Sequence, residues 1–182
     1  MGEIKNIRQS SKFPELISFS FEPHMDSRGT WQRIWEHDSI NDIGHNPEVR
    51  QVSLSTNPKK NTLRGLHSLK FEASEYKAVV CLTGAAQDVV VDVRPNSETW
   101  GHYASFNLSE GDFSGLLIPP GFAHGFLTLL PETRLLYLMS AEHSETLESN
   151  FCWNDPEFAI EWLAAPILIS EKDKNIPWVA SR

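Results

Sequence analysis

The chain has 182 residues and a formal net charge of −8 at pH 7; 40% of its residues are hydrophobic and 22% are charged. This acidic balance argues against nucleic acid as a partner, because non-specific binding to nucleic acid depends on a basic surface. The N-terminus has no apolar signal-peptide core, and no apolar run approaches the roughly 18 residues of a membrane span. We therefore expect one cytoplasmic domain over residues 1–182, with no membrane partner.

Short apolar or alternating segments follow one another through the middle of the chain, separated by turn residues such as glycine, proline and asparagine. They cover residues 49–55, 78–82, 88–94, 103–108, 116–118, 126–130 and 135–139. Short strands with this spacing are typical of an all-β sandwich or barrel, and a double-sheet jelly roll leaves a cavity between its sheets. Short helices are predicted near residues 38–43 and from Ser170 onward, where Ser170 can cap the helix.

Two of the seven histidines, His67 and His124, lie in short apolar stretches that glycines interrupt. A buried imidazole needs a polar partner, so each is a hydrogen-bonded core residue, a metal ligand or a catalytic group. A metal is the weakest of these readings, since neither histidine has a second ligand at the expected spacing and the chain has no C-x-x-C pair. Glycine-rich dinucleotide and phosphate loops are absent. Arg28 and Arg64 adjoin glycines, and guanidinium groups suit phosphate.

Several longer motifs carry the most specific information in the chain. They are DSRG at 26–29, LRGLH at 63–67, DVVVDVR at 88–94 with SETWG at 97–101, IPPGFAHGF at 118–126, WNDP at 153–156 and IEW at 160–162. In this order they resemble the motifs of the dTDP-4-dehydrorhamnose 3,5-epimerase family. The resemblance implies a cupin-like double-sheet jelly roll with a few short peripheral helices. It also implies a homodimer that exchanges N-terminal strands.

The resemblance assigns roles by position in the motifs. It implies that His67 is the general base, Asp173 the carboxylate paired with it, Lys77 the support for the enolate oxygen, and Tyr137 the proton donor. It further implies substrate contacts at Arg28, Gln51, Arg64, His124, Glu148 and Lys172. The expected activity inverts C3, C5 or both in a nucleotide-linked 4-keto-6-deoxy sugar, such as dTDP-4-dehydro-6-deoxyglucose, in deoxysugar and polysaccharide biosynthesis. No metal and no organic cofactor is expected.

The chemistry of a 4-keto sugar agrees with these residue types. The ketone acidifies the hydrogens on C3 and C5, because the resulting carbanion delocalises onto oxygen. A positioned histidine can remove such a proton, and general-base catalysis contributes roughly 10²–10⁴-fold. Inversion then requires a second group on the opposite face of the ring, and a neutral phenol such as Tyr137 can donate a proton near pH 7.

The chain departs from the family motifs at Arg33, Ser53, Ser68 and Leu69. In the family these positions lie mainly around the nucleotide and the sugar. We therefore hypothesise that the reaction class is kept, while the nucleotide base, the sugar or the set of inverted carbons differs. Three alternatives stay open: a related cupin 3,4-ketoisomerase, a non-catalytic sugar-nucleotide binding protein and, as the weakest, a metal-dependent cupin.

Overall fold

The structure is a computed structural model that describes residues 4–36, 48–112, 114–142 and 145–181. Its strands are β1 (Ile4–Gln9), β2 (Ile17–Phe21), β3 (His24–Asp26), β4 (Gly29–Trp31), β5 (Gln51–Asn57), β6 (Leu63–His67), β7 (Lys77–Thr83), β8 (Ala85–Asp92), β9 (Tyr103–Ser109), β10 (Ser114–Ile118), β11 (Phe122–Thr128) and β12 (Thr133–Met139). Its helical pieces are α1 (Glu171–Lys174) and the 3-10 turns Phe71–Ala73, Glu110–Asp112, Glu145–Leu147 and Val179–Ser181.

Two antiparallel sheets form the body of the fold. One has the strand order β1-β2-β10-β7-β12-β5 and the other β6-β11-β8-β9, while β3 and β4 form a separate hairpin. The largest core lies between the sheets: Val79 and Leu135 from the first sheet pack with Val90 and Phe126 from the second. The predicted all-β, cupin-like double-sheet jelly roll is therefore confirmed.

The predicted strands in the middle of the chain are confirmed with shifted ends. The largest shift concerns the segment predicted at 126–130, because β11 already begins at Phe122 and ends at Thr128. Residues beyond Thr128 turn towards β12, with the Leu129 amide donating to the Ala85 carbonyl. Ser170 caps α1 as predicted, whereas the helix predicted at 38–43 lies outside the described residues. Within the described parts of the chain, no helix has the length and apolar character of a membrane span.

Strands β6 and β11 approach each other closely where two glycines meet. A Cβ atom added to Gly65 would lie 2.6 Å from the Gly125 Cα and 2.8 Å from the His124 carbonyl oxygen. Gly65 also has a φ of +124°, which other residues rarely adopt. The pair of glycines therefore brings the two strands together beside His67 and His124, which are register partners.

A buried carboxylate ties the end of β8 to the following turn. The fully buried Asp92 accepts hydrogen bonds from Arg94 Nη2 at 2.7 Å and from the Ser97 and Thr99 hydroxyls at 2.6 Å each. Burial by itself would raise the pKa of Asp92, but the hydrogen bonds from these three residues outweigh it and lower the pKa to about 2. This carboxylate therefore stabilises the turn that follows β8.

Polar and apolar residues alternate along the edge strand β5. Its polar residues Gln51, Ser53 and Ser55 face a cavity between the sheets. Val52 and Leu54 alternate with them, and 59% and 55% of their surfaces are exposed. Leu54 also borders the cavity. The apolar face of β5 is therefore open in the single chain, while its polar face contributes to the site described next.

Candidate active site

A cavity of about 780 Å³ opens between the two sheets. Strands β5, β7 and β12 form one wall, strands β6 and β11 form the other, and the segments near residues 148–150 and 168–173 close its rim. Nine of the predicted site residues line it: Gln51, Arg64, His67, Lys77, His124, Tyr137, Glu148, Lys172 and Asp173. Residues that are dispersed along the chain thus meet in one place.

His67 and Asp173 form a hydrogen-bonded pair on one wall. His67 Nε2 lies 2.8 Å from Asp173 Oδ1; 42% of the His67 side chain is exposed, against 4% for Asp173. Asp173 is held in turn by α1, where its amide donates to Ser170 Oγ, and its Oδ2 accepts from the Gly65 amide at 3.3 Å. Because Nε2 faces the carboxylate, Nδ1 is the ring nitrogen that carries the available lone pair.

The charge of Asp173 is stabilised despite its burial. Burial alone would raise the pKa of Asp173, but the hydrogen bond and electrostatic interaction with His67, followed by the Gly65 amide and Ser170, lower it below 3.8. The carboxylate is therefore ionised near neutral pH. An ionised carboxylate on Nε2 orients the imidazole and fixes its tautomer.

A second histidine–carboxylate pair lies deeper in the same wall. His124 Nε2 is 2.9 Å from Asp88 Oδ1 and 2.8 Å from Oδ2, and both side chains are almost completely buried. Sequence reasoning gave Asp88 no role, although a carboxylate within the apolar run of β8 signals a buried partner. This pair makes His124 a rigid part of the cavity wall.

Tyr137 stands on the opposite sheet, in β12. Its ring meets that of His124 edge-to-face with centroids 6.0 Å apart. Burial raises the pKa of Tyr137 well above 10.0, the Asp88 charge raises it further, and Arg64 partly offsets both. Tyr137 therefore remains protonated across the neutral range and can act as a proton donor.

Lys77 lies at the start of β7 on the same side of the cavity as Tyr137. Its Nζ atom is 3.3 Å from Glu75 Oε2, with 15% of the lysine and 12% of the glutamate side chain exposed. Glu75 lines the cavity, and it is a second carboxylate, after Asp88, that sequence reasoning missed. Its position two residues before Lys77 was the available signal, since alternate residues of an extended chain share a face.

The remaining polar groups lie towards the mouth of the cavity. Lys172 Nζ contacts Glu148 Oε2 at 2.6 Å, and Arg64 Nε donates to Asn57 Oδ1 at 2.9 Å. Gln51 donates to Ser53 Oγ at 3.3 Å. Both lysines of the cavity are thus paired with glutamates, whereas Arg64 has no carboxylate partner among the residues that the structure describes.

Arg28 lies outside this cavity in the single chain. It occupies the exposed β3–β4 hairpin, pairs with Asp26 at 2.6 Å, and leaves 88% of its side chain accessible. The structure therefore does not bring Arg28 together with the other predicted substrate contacts. Its role stays a prediction.

The jelly roll and the cavity between its sheets are those of a cupin-like isomerase. Residues 10–181 match the family model described as dTDP-4-dehydrorhamnose 3,5-epimerase. The chain belongs to this family and is an epimerase.

Similar proteins agree in sequence and structure. The dTDP-4-dehydrorhamnose 3,5-epimerase of Salmonella typhimurium is 41% identical over 166 residues, which cover 90% of each chain. The structure of the Mycobacterium tuberculosis rmlC epimerase superposes with a TM-score of 0.91 at 33% identity, covering 97% of this chain and 90% of that one. A Legionella pneumophila RmlC structure in complex with dTDP-4-keto-L-rhamnose has a TM-score of 0.89 at 28% identity, covering 96% and 93%.

Proposed function

We propose that this enzyme inverts C3 and C5 of a dTDP-linked 4-keto-6-deoxy sugar in deoxysugar biosynthesis. The observation that carries the proposal is one cavity with a carboxylate-held histidine on one sheet and a protonated tyrosine on the other. The names of the relatives, and the dTDP sugar in the Legionella structure, favour dTDP over another nucleotide.

The first half of the reaction is removal of a proton by His67. Nδ1 accepts the proton from C3 or C5, and the C–H electron pair moves into an enolate with its charge on the C4 oxygen. Asp173, 2.8 Å from Nε2, stabilises the imidazolium that forms. Lys77 donates a hydrogen bond to the enolate oxygen, in a cavity sheltered enough for that interaction to be strong.

The second half is return of a proton from the other face. Tyr137 gives its phenolic proton to the carbanionic carbon, and the configuration inverts because His67 and Tyr137 stand on different sheets. The tyrosinate and the imidazolium then exchange protons with solvent to regenerate the starting state. The raised pKa of Tyr137 keeps its proton in place until a strongly basic carbon accepts it.

Arg64 is the proposed anchor of the diphosphate. Its guanidinium is exposed at the cavity, and Asn57 orients it through Nε, which leaves the two terminal nitrogens for phosphate oxygens. Guanidinium groups bind phosphate in a bidentate manner. Gln51, Glu148, Lys172 and His124 line the remaining space and complete the proposed substrate contacts.

A homodimer with exchanged N-terminal strands is proposed as the working assembly. In the single chain, Val52 and Leu54 leave an apolar patch on β5, and the β3–β4 hairpin with Arg28 is exposed. A second copy covers such a patch, and its hairpin supplies Arg28 to the neighbouring cavity. Sedimentation analysis tests the assembly, and Arg28→Ala is expected to raise KM for the nucleotide sugar.

Deuterium incorporation tests the chemistry directly. The protein is incubated in D₂O with 4-keto-6-deoxy sugars carried on dTDP, GDP and CDP, and C3–H and C5–H are followed by NMR. We expect exchange at both carbons of the dTDP sugar and none with His67→Ala. Exchange with another nucleotide, or at one carbon, instead supports the altered specificity suggested by Arg33, Ser53, Ser68 and Leu69. A 3-keto product identifies a ketoisomerase.

A further inference from the structure

Among the described residues that line the cavity, Glu75 is the one carboxylate without a role in the reaction described above. Its side chain is 12% exposed, and its Oε2 lies 3.3 Å from Lys77 Nζ. An anionic substrate enters this cavity, so a carboxylate here opposes ground-state binding unless it serves another group. That group is the lysine, whose own side chain is only 15% exposed.

The backbone fixes the two side chains relative to each other. Tyr76, between them, donates its amide to Ser140 Oγ at 2.8 Å and accepts from the Ser140 amide at 3.0 Å. Tyr76 therefore turns outward, to the apolar cluster on the outer face of the six-stranded sheet. Glu75 and Lys77 consequently both point into the cavity from the start of β7.

A lysine side chain has four rotatable bonds, so a partner that restricts it determines where its charge lies. The second pair in the cavity, Lys172 with Glu148, differs because 60% of the Lys172 side chain is exposed. Solvent screens the charges of an exposed pair, so the partner restricts the lysine side chain only weakly. The sheltered pair of Lys77 is screened less, so its glutamate restricts the lysine more strongly. The Lys77–Glu75 pair is therefore the one suited to hold an ammonium group in a fixed position.

We propose that Glu75 is a positioning residue for the epimerase reaction, which holds Lys77 Nζ towards the C4 oxygen of the substrate. Glu75 also balances the lysine charge before reaction. Lys77 then interacts most strongly when negative charge develops on the enolate oxygen, and such a difference between ground state and transition state is what accelerates a reaction. This inference rests on the function proposed above.

A double-mutant cycle with steady-state kinetics on the dTDP-4-keto-6-deoxy sugar tests the role. Glu75→Gln keeps the shape and a hydrogen-bond acceptor but removes the charge. We expect kcat to fall by about 10–10²-fold, because a misplacement of about 1 Å can cost about 10²-fold in rate. KM is not expected to rise, because a negative charge has left an anion-binding cavity. Lys77→Met is expected to lower kcat by about 10²-fold, and the double variant is expected to be no slower than Lys77→Met alone.

The controls separate positioning from structure. Glu72→Gln, on the exposed 3-10 turn before Glu75, is expected to leave kcat and KM unchanged. Binding of dTDP by calorimetry and the melting temperature are measured for every variant, and Lys77→Gln replaces Lys77→Met if the latter does not fold. An unchanged kcat in Glu75→Gln, a raised KM with normal kcat, or fully additive losses in the double variant would each overturn the proposal. An inactive wild-type enzyme would instead remove the proposed function, and this inference with it.

Discussion

Asp173→Asn provides the sharpest test of how the base is oriented. The carboxylate has two partners, His67 Nε2 at 2.8 Å from Oδ1 and the Gly65 amide at 3.3 Å from Oδ2. An asparagine can accept from the Gly65 amide only with its carbonyl oxygen, which turns its NH₂ group towards Nε2. Nε2 must then accept, the ring proton moves to Nδ1, and the lone pair facing the substrate is lost.

The expected loss in kcat is about 10³–10⁴-fold, comparable to other enzymes in which the wrong histidine tautomer is imposed. KM is expected to change little, because Asp173 is 4% exposed and its two oxygens are engaged by His67 and the Gly65 amide. The assay is C–H exchange in D₂O alongside product formation. Asp173→Asn and His67→Ala combined should be no slower than His67→Ala, since the two residues act as one unit.

The matched control is Glu171→Gln, in the same short helix, where 80% of the glutamate side chain is exposed. It is expected to keep wild-type rates. If Asp173→Asn retains kcat within about tenfold of wild type, the carboxylate does not select the tautomer and the assignment of Nδ1 as the base is wrong.

Three further predictions concern Tyr137 as the proton donor, the buried carboxylate of Asp92 and the close contact of Gly65 with Gly125. Tyr137→Phe is expected to lower product formation by at least about 10²-fold while C–H exchange continues, because His67 is intact; equal loss of both would contradict a donor role. Asp92 has a depressed pKa, so its stabilisation of about 2 kcal/mol is complete above pH 3.8 and is lost as the pH falls towards about 2. In denaturant unfolding, the difference in free energy of unfolding between wild type and Asp92→Asn should accordingly become smaller as the pH falls over that range. Gly65→Ala, whose Cβ would lie 2.6 Å from Gly125 Cα, should lower the free energy of unfolding by about 2–4 kcal/mol, and an unchanged melting temperature would contradict the close contact.

The fold could be predicted from the sequence where strands alternate or are bounded by turn residues. Strands β7 to β12 have these signals, and the structure confirms them. Strands β3 and β4 do not, because every residue in them is exposed. Strand β2 does alternate between buried apolar residues and serines, and sequence reasoning missed it. Strand β6 was missed for a different reason, because Arg64 and Gly65 interrupt its apolar pattern. Arg64 lines the cavity, and Gly65 makes the close contact with Gly125.

The candidate site could be predicted only through motif resemblance. His67 and Asp173 are too distant in the chain for spacing to reveal their contact, and Tyr137 alone is indistinguishable from a core tyrosine. Glu75 was missed although its partner Lys77 lies only two residues away. Asp88 was missed because its importance depends on His124, which contacts it from the neighbouring strand. Pairwise contacts of this kind arise from topology, which local patterns do not contain.

The hydrogen bond between His67 and Asp173 joins residues that are 106 positions apart. The segment that precedes Asp173 in the chain also contacts β6. The Leu63 amide donates to the Leu168 carbonyl, and Thr62 forms an isolated parallel β-bridge with Leu168. Closing so long a loop costs chain entropy that earlier contacts must offset. During refolding, activity therefore returns only when the C-terminal segment has bound to β6. The recovery of activity is expected to lag behind the far-ultraviolet circular dichroism signal of sheet formation.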